Sequence, residues 1–155
     1  MTDSQTGRIS RRGLLTAFAA SAVVASPTMS NAFGFLKGAG DVRRISMYSG
    51  RTGESVNTIY WIEGEYIAEA FVEISHFMRD WRTGQTRMID ARTIDIMAAS
   101  HSMLETDEPY LLLSGYRTPG TNSALRSRSR SVARNSLHMK GQAADLRLKS
   151  RSVGQ

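Results

Sequence analysis

The chain has 155 residues, 41% of them hydrophobic, with 20 lysines and arginines against 14 aspartates and glutamates for a formal net charge of +6. That length suits one hydrophobic core rather than several, and the absence of cysteine excludes disulfides and thiolate metal ligands, leaving packing or a metal held by histidine and carboxylates. The modest basic excess suits an anionic polymer as partner.

The first element is an address rather than structure. Arg8, Arg11 and Arg12 precede a mildly apolar run from Leu14 to Ala25, the order of an export leader. The run is shorter than the roughly 20 apolar residues that span a bilayer and is diluted by Thr16 and Ser21. Ser10-Arg11-Arg12-Gly13-Leu14-Leu15 resembles the twin-arginine export signal, with an ordinary secretory leader as the alternative. Ser30-Asn31-Ala32 offers small residues for cleavage before Phe33. Residues 1–32 are therefore expected to be a signal peptide read by the twin-arginine export machinery. Residues 33–41 form a linker, and residues 42–155 form a single periplasmic domain without stable membrane insertion.

In that domain, Val42 to Tyr48 and Ser55 to Trp61 are β-prone runs separated by turn-rich Ser49-Gly50-Arg51-Thr52-Gly53-Glu54, which predicts a hairpin. Ile67, Ala70, Phe71, Ile74, Phe77, Met78 and Trp81 recur at helical spacing and predict an amphipathic helix. Asp90 is placed to cap a second helix carrying Ile94, Met97, Ala98, His101 and Leu104 on one stripe. Tyr110-Leu111-Leu112-Leu113 is apolar on both alternating sets and predicts an interior strand covered on two faces. Ser114 to Asn135 is polar and rich in Ser and Arg, so it is expected to be mostly loop, with one helical turn near Asn122 to Arg126. Ala143 to Leu148 alternates as a strand, and Ser152 is placed to cap a further helix.

The stretch Ser136-Leu137-His138-Met139-Lys140-Gly141-Gln142-Ala143-Ala144-Asp145 sets a histidine seven residues before an aspartate across a glycine. Imidazole and carboxylate are suitable zinc donors, and the glycine permits the turn that would bring them together. This stretch resembles the S-x-H-x-x-G-x-A-x-D pattern of the D-alanyl-D-alanine peptidase zinc superfamily. With the upstream Ser114-Gly115-Tyr116-Arg117 it is most similar to the YcbK-like, or murein endopeptidase K-like, family. The resemblance implies an α+β fold, an antiparallel sheet with helices mainly on one side. It also implies a Zn2+ cofactor ligated by His138 and Asp145, with Arg117 steadying the substrate carbonyl or oxyanion and Ser136 and Tyr116 on the substrate side. The implied function is a zinc-dependent metallopeptidase cutting peptide cross-links of peptidoglycan as a monomer.

In this family the third ligand is a histidine of a later His-x-Asp segment, and the general base belongs to the same region. Neither is present here, so the sequence leads to the expectation of a C-terminally truncated domain with impaired activity. His76 and His101 sit on or beside helical stripes and are expected to be structural. The rival class is a non-catalytic cell-wall-binding or structural periplasmic domain. Arg126, Arg128, Arg130 and Arg134, interleaved with serines, are read as a flexible solvated loop, with a rim attracting wall-peptide carboxylates as the sharper alternative. No nucleic-acid partner is expected, because no aromatic stacking platform accompanies these arginines.

Overall fold

Alternation builds the first strand. In β1 (Val42–Tyr48), Arg43, Ile45 and Met47 are buried while the residues between them are exposed or half-buried, the period of a strand with one face on a core. A computed structural model describes residues 42–151, all within the second of the chain's two compact units, Gly34–Gln155. The expected signal peptide, the linker and the cap at Ser152 lie outside the described residues.

β1 pairs antiparallel with β2 (Ser55–Ile62). Their connection closes through Ser49 N–H to Glu54 O at 2.9 Å and Gly53 N–H to Ser49 O at 2.8 Å. The register slips between Arg43 and Arg44, whose partners are Trp61 and Ile59. Tyr60 is thus the extra residue of a β-bulge, and it is fully buried. Glu63 and Gly64 both have positive φ, 47° and 97°, as a two-residue hairpin turn requires, and return the chain into β3 (Glu65–Tyr66). This short strand was not anticipated from the sequence.

The expected first helix is α1 (Ala68–Phe77), whose Ala70, Phe71, Ile74 and Phe77 are buried. It ends before the stripe does, and Trp81 lies 39% exposed beyond it, beneath the guanidinium of Arg82 at 4.1 Å. The second is α2 (Ala91–Met103), capped as expected by Asp90, whose side chain accepts from Arg92 N–H at 3.0 Å. β4 (Tyr110–Ser114) follows, then α3 (Pro119–Arg128), a 3-10 helix (Leu137–Lys140) and β5 (Asp145–Arg147).

The result is an α+β domain with an open five-stranded sheet in the order β3-β2-β1-β4-β5. Its pairings are antiparallel except β1 with β4, which run parallel. Parallel neighbours need a long crossover, and here α1 and α2 supply it. One face of the sheet carries the core: Ile45, Met47, Val56, Tyr60, Tyr110 and Leu112 cluster with Phe71, Ile74, Phe77, Ile94 and Met97 of the two helices. Fully burying each such side chain contributes about 1.5–3 kcal/mol.

Two expectations are corrected. β4 is interior to the sheet, but Leu113 is 42% exposed, so the strand is covered on one face, because the helices that build the core join only that side. The Ser114 to Asn135 stretch holds a ten-residue helix rather than one turn, since Thr118 accepts from Thr121 N–H and Pro119 takes the first helical position, both helix-start signals. Among the described residues no helix is long and apolar enough to cross a membrane.

Candidate functional site

The site assembles where β4 ends. Beyond Ser114 the backbone passes so close to the end of α1 that Tyr116 N–H donates to Met78 O at 2.7 Å. A Cβ on Gly115 would lie 2.3 Å from that same carbonyl, so only glycine fits. Thr118 then starts α3 against Asp80, whose carboxylate accepts from the Thr118 amide and hydroxyl, both at 2.9 Å.

The 3-10 helix supplies the other side of the site. Gly141 ends it with φ 71°, and a Cβ there would meet Met88 O at 2.6 Å. Its carbonyl accepts from Asp90 N–H at 2.9 Å, tying the motif to the cap of α2. The two passages are joined directly, Arg117 N–H donating to His138 O at 3.2 Å.

This scaffold orients His138. Its side chain is 11% exposed, and Nδ1 lies 2.7 Å from Gly115 O. A carbonyl only accepts, so Nδ1 carries the proton towards Gly115, which leaves Nε2 as the nitrogen turned to the site. Nε2 faces Asp145 Oδ2 at 3.5 Å. Asp145 opens β5 opposite Ser114 and is about half exposed. The same Oδ2 accepts from Arg117 Nη2, while Arg117 Nε donates to Ser114 Oγ at 2.8 Å. Its contact with His138, with the Arg117 cation beside it, outweighs burial and holds the Asp145 carboxyl below its ordinary range.

Of the residues named from the sequence, Arg117, His138 and Asp145 are therefore brought together. Ser136 immediately precedes the 3-10 helix but is 7% exposed, and Tyr116 is 8% exposed and belongs to the core cluster. His101 is structural, with Nε2 2.6 Å from Glu108 O and its ring edge-on to Tyr110. His76 is exposed on α1. Ser114 and Gly115 act as positioning residues, and so does Asp80, for which the sequence carries no local signal. A cleft of about 810 Å³, lined by Tyr66, Phe71, Val72 and Met88 with Arg87 and Lys140, contains none of the three converging side chains.

An oriented imidazole, a carboxylate facing its free nitrogen and a guanidinium on that carboxylate put the domain in the class of candidate hydrolases. Imidazole and carboxylate suit zinc, and a ring fixed through its other nitrogen by a carbonyl is the arrangement of a metal-binding histidine. Among the described residues, no group of three or more His, Cys, Asp or Glu could hold a metal, so His138 and Asp145 are a two-donor set. The chain belongs to the family described as peptidoglycan L,D-endopeptidase MepK, whose profile matches residues 37–154. That is the family expected from the Ser136 to Asp145 pattern taken with the upstream Ser114-Gly115-Tyr116-Arg117. It is 38% identical over 106 residues to the peptidoglycan L,D-endopeptidase MepK of Escherichia coli K12, covering 68% of this chain and 58% of that protein. It is 32% identical over 104 residues to the probable peptidoglycan L,D-endopeptidase MepK of Haemophilus influenzae, covering 63% of this chain and 56% of that one. The chain thus spans under two thirds of the length of these relatives. No solved structure matches it significantly.

Proposed function

We propose that this chain is a zinc-dependent metallopeptidase that cleaves L,D-peptide bonds in the cross-links of peptidoglycan. His138 and Asp145 hold the metal. The observation that carries the reading is their convergence: Nε2 and Oδ2 lie 3.5 Å apart, with Nδ1 occupied by Gly115 O, so Nε2 is the nitrogen turned towards the carboxylate. Zinc bound there would polarise a scissile carbonyl and lower the pKa of its water. Arg117, with Nε fixed by Ser114, steadies the carbonyl oxygen or the charge that develops on it. Ser136 and Tyr116, both buried, serve the substrate side from beneath the surface. The protein works as a monomer in the periplasm after export through the twin-arginine machinery.

A second reading, a non-catalytic wall-binding or structural periplasmic domain, is favoured by one observation: the described residues offer two metal donors, where a catalytic zinc commonly takes three. Two donors should bind zinc more weakly than three and leave turnover impaired. The test is zinc titration of the full chain by calorimetry, alongside chromatography of fragments released from purified peptidoglycan. Wild type should bind one zinc and release fragments, and His138→Ala and Asp145→Ala should lose both. Equal zinc binding by all three proteins would remove the metal assignment. Zinc-independent adhesion without fragment release would establish the second reading.

A further inference from the structure

From Pro109 to Ala144 the sequence contains no aspartate or glutamate, while Arg117, Arg126, Arg128, Arg130, Arg134 and Lys140 all fall within it. Beyond β4, whose Tyr110 and Leu112 are buried, this stretch makes one excursion from the site. It leaves the site at Arg117, runs out along α3, and returns to Ser136 and His138. Both ends are anchored: Asp80 holds Thr118 at the start, and buried Asn122 donates to Ala133 O at 3.1 Å and Arg134 O at 3.5 Å, folding the return segment onto the helix. The arginines therefore ride on a held excursion whose two ends flank the candidate site.

All four of Arg126, Arg128, Arg130 and Arg134 are exposed, and no carboxylate pairs with any of them among the described residues. A depression of about 380 Å³ on α3 has Arg82 and Arg128 among its lining, with the threonines Thr83, Thr118 and Thr121 beside them. Clustered cations of one sign with no internal partner raise the local concentration of anions and steer their approach. Nothing in the fold requires these charges, since only Thr121 and Asn122 of α3 are buried.

We propose that α3 and its return segment, Arg126 to Arg134, form a docking surface for the free carboxylates of peptidoglycan peptides, seating the wall polymer beside the His138–Asp145 site. This deepens the reading above and rests on it for the identity of the polymer. Guanidinium groups suit the surface because they pair with carboxylates through two parallel hydrogen bonds.

The test is co-sedimentation of the full chain with isolated peptidoglycan at rising salt, with chelator present throughout so that metal binding and hydrolysis play no part. Wild type should bind, and binding should fall as salt rises. Replacing the four arginines together, Arg126→Ser, Arg128→Ser, Arg130→Ser and Arg134→Ser, should weaken binding by about tenfold or more and flatten the salt dependence. Replacing all four with lysine should retain most of it. Peptidoglycan whose carboxyls have been amidated should bind wild type no better than native polymer binds the serine variant. An unchanged unfolding midpoint of the serine variant confirms that the fold is intact. Equal binding by wild type and serine variant, or undiminished binding to amidated polymer, would overturn the proposal. So would binding to phosphatidylglycerol vesicles with none to peptidoglycan, which would make the surface a membrane contact. If zinc fails to bind while these arms hold, the docking surface stands and the metal assignment falls.

Discussion

Gly115 shows how a residue without a side chain can shape a site. Its carbonyl holds His138 Nδ1 at 2.7 Å, and its missing Cβ lets the chain pass within hydrogen-bonding distance of Met78. A methyl there would sit 2.3 Å from Met78 O and 2.8 Å from Met78 Cβ, and because Met78 is fully buried neither atom can yield without moving the core. Gly115→Ala should therefore destabilise the fold by about 1–3 kcal/mol, the usual cost of forced overpacking, and displace the carbonyl that sets the His138 tautomer. Denaturant unfolding measures the first effect, and the chemical shifts of the His138 ring nitrogens measure the second. A variant with the wild-type midpoint and wild-type shifts would show that the close approach is not a constraint.

At the scale of the element, α3 depends on a carboxylate from outside it. Asp80 is 1% exposed. Burial alone would raise its pKa, but hydrogen bonds from Thr121, from the Thr118 amide and hydroxyl and from the Arg82 amide outweigh burial and hold it below the ordinary carboxylate range. A carboxyl depressed in the folded state contributes stability in full above its unfolded value, about 4, and loses it as pH falls through the folded value. Asp80→Asn should thus cost about 1–3 kcal/mol at neutral pH, and the cost should shrink below about pH 4. Unfolding midpoints collected from neutral to acid pH test this; a gap between the two proteins that stays constant with pH would refute the charged role. Because Arg117 immediately precedes Thr118, the variant should also loosen the approach to the site.

The whole molecule is held by a buried polar junction between its two layers. Asp95 of α2 accepts from Arg43 Nη1 of β1 at 3.1 Å, from Tyr60 OH of β2 at 3.1 Å and from Tyr66 OH of β3, linking the helix to three strands at once. Arg43 also lies 4.4 Å from the centre of the Trp61 ring. Desolvation, with Asp95 alongside, pushes the Tyr66 hydroxyl up to about 12, so it stays a donor throughout the physiological range. Removing Asp95 takes away the acceptor shared by the Tyr60 and Tyr66 hydroxyls, and each buried donor left unsatisfied commonly costs about 1–3 kcal/mol. Asp95→Ala should lower global stability by at least that amount in denaturant titration, whereas a loss below about 1 kcal/mol would mean that the junction does not hold the helix to the sheet.

Several features were readable along the chain because neighbours in sequence carry them. The first hairpin, the α1 stripe from Ala70 to Phe77 and the Asp90 cap all express local periodicity or local hydrogen bonding, and so does the positive φ of Gly141 that closes the His138 motif. The Ser136 to Asp145 pattern likewise pointed to the family. α3 was underestimated because its cap, Thr118-Pro119, is followed by serines and arginines with almost no apolar face, so periodicity was silent where capping spoke. The rest depended on residues far apart in sequence: the parallel β1–β4 pairing, the open second face of β4 at Leu113, the burial of Tyr116, and the reach of Asp80 to Thr118 across 38 positions. Which groups could do chemistry is legible along the chain, since donor type and turn-forming capacity are properties of single residues and their neighbours. Which groups meet is set by the fold, because the crossover through α1 and α2 brings Met78 to Gly115 at the end of β4, and the 3-10 helix and β5 return His138 and Asp145 to the same end.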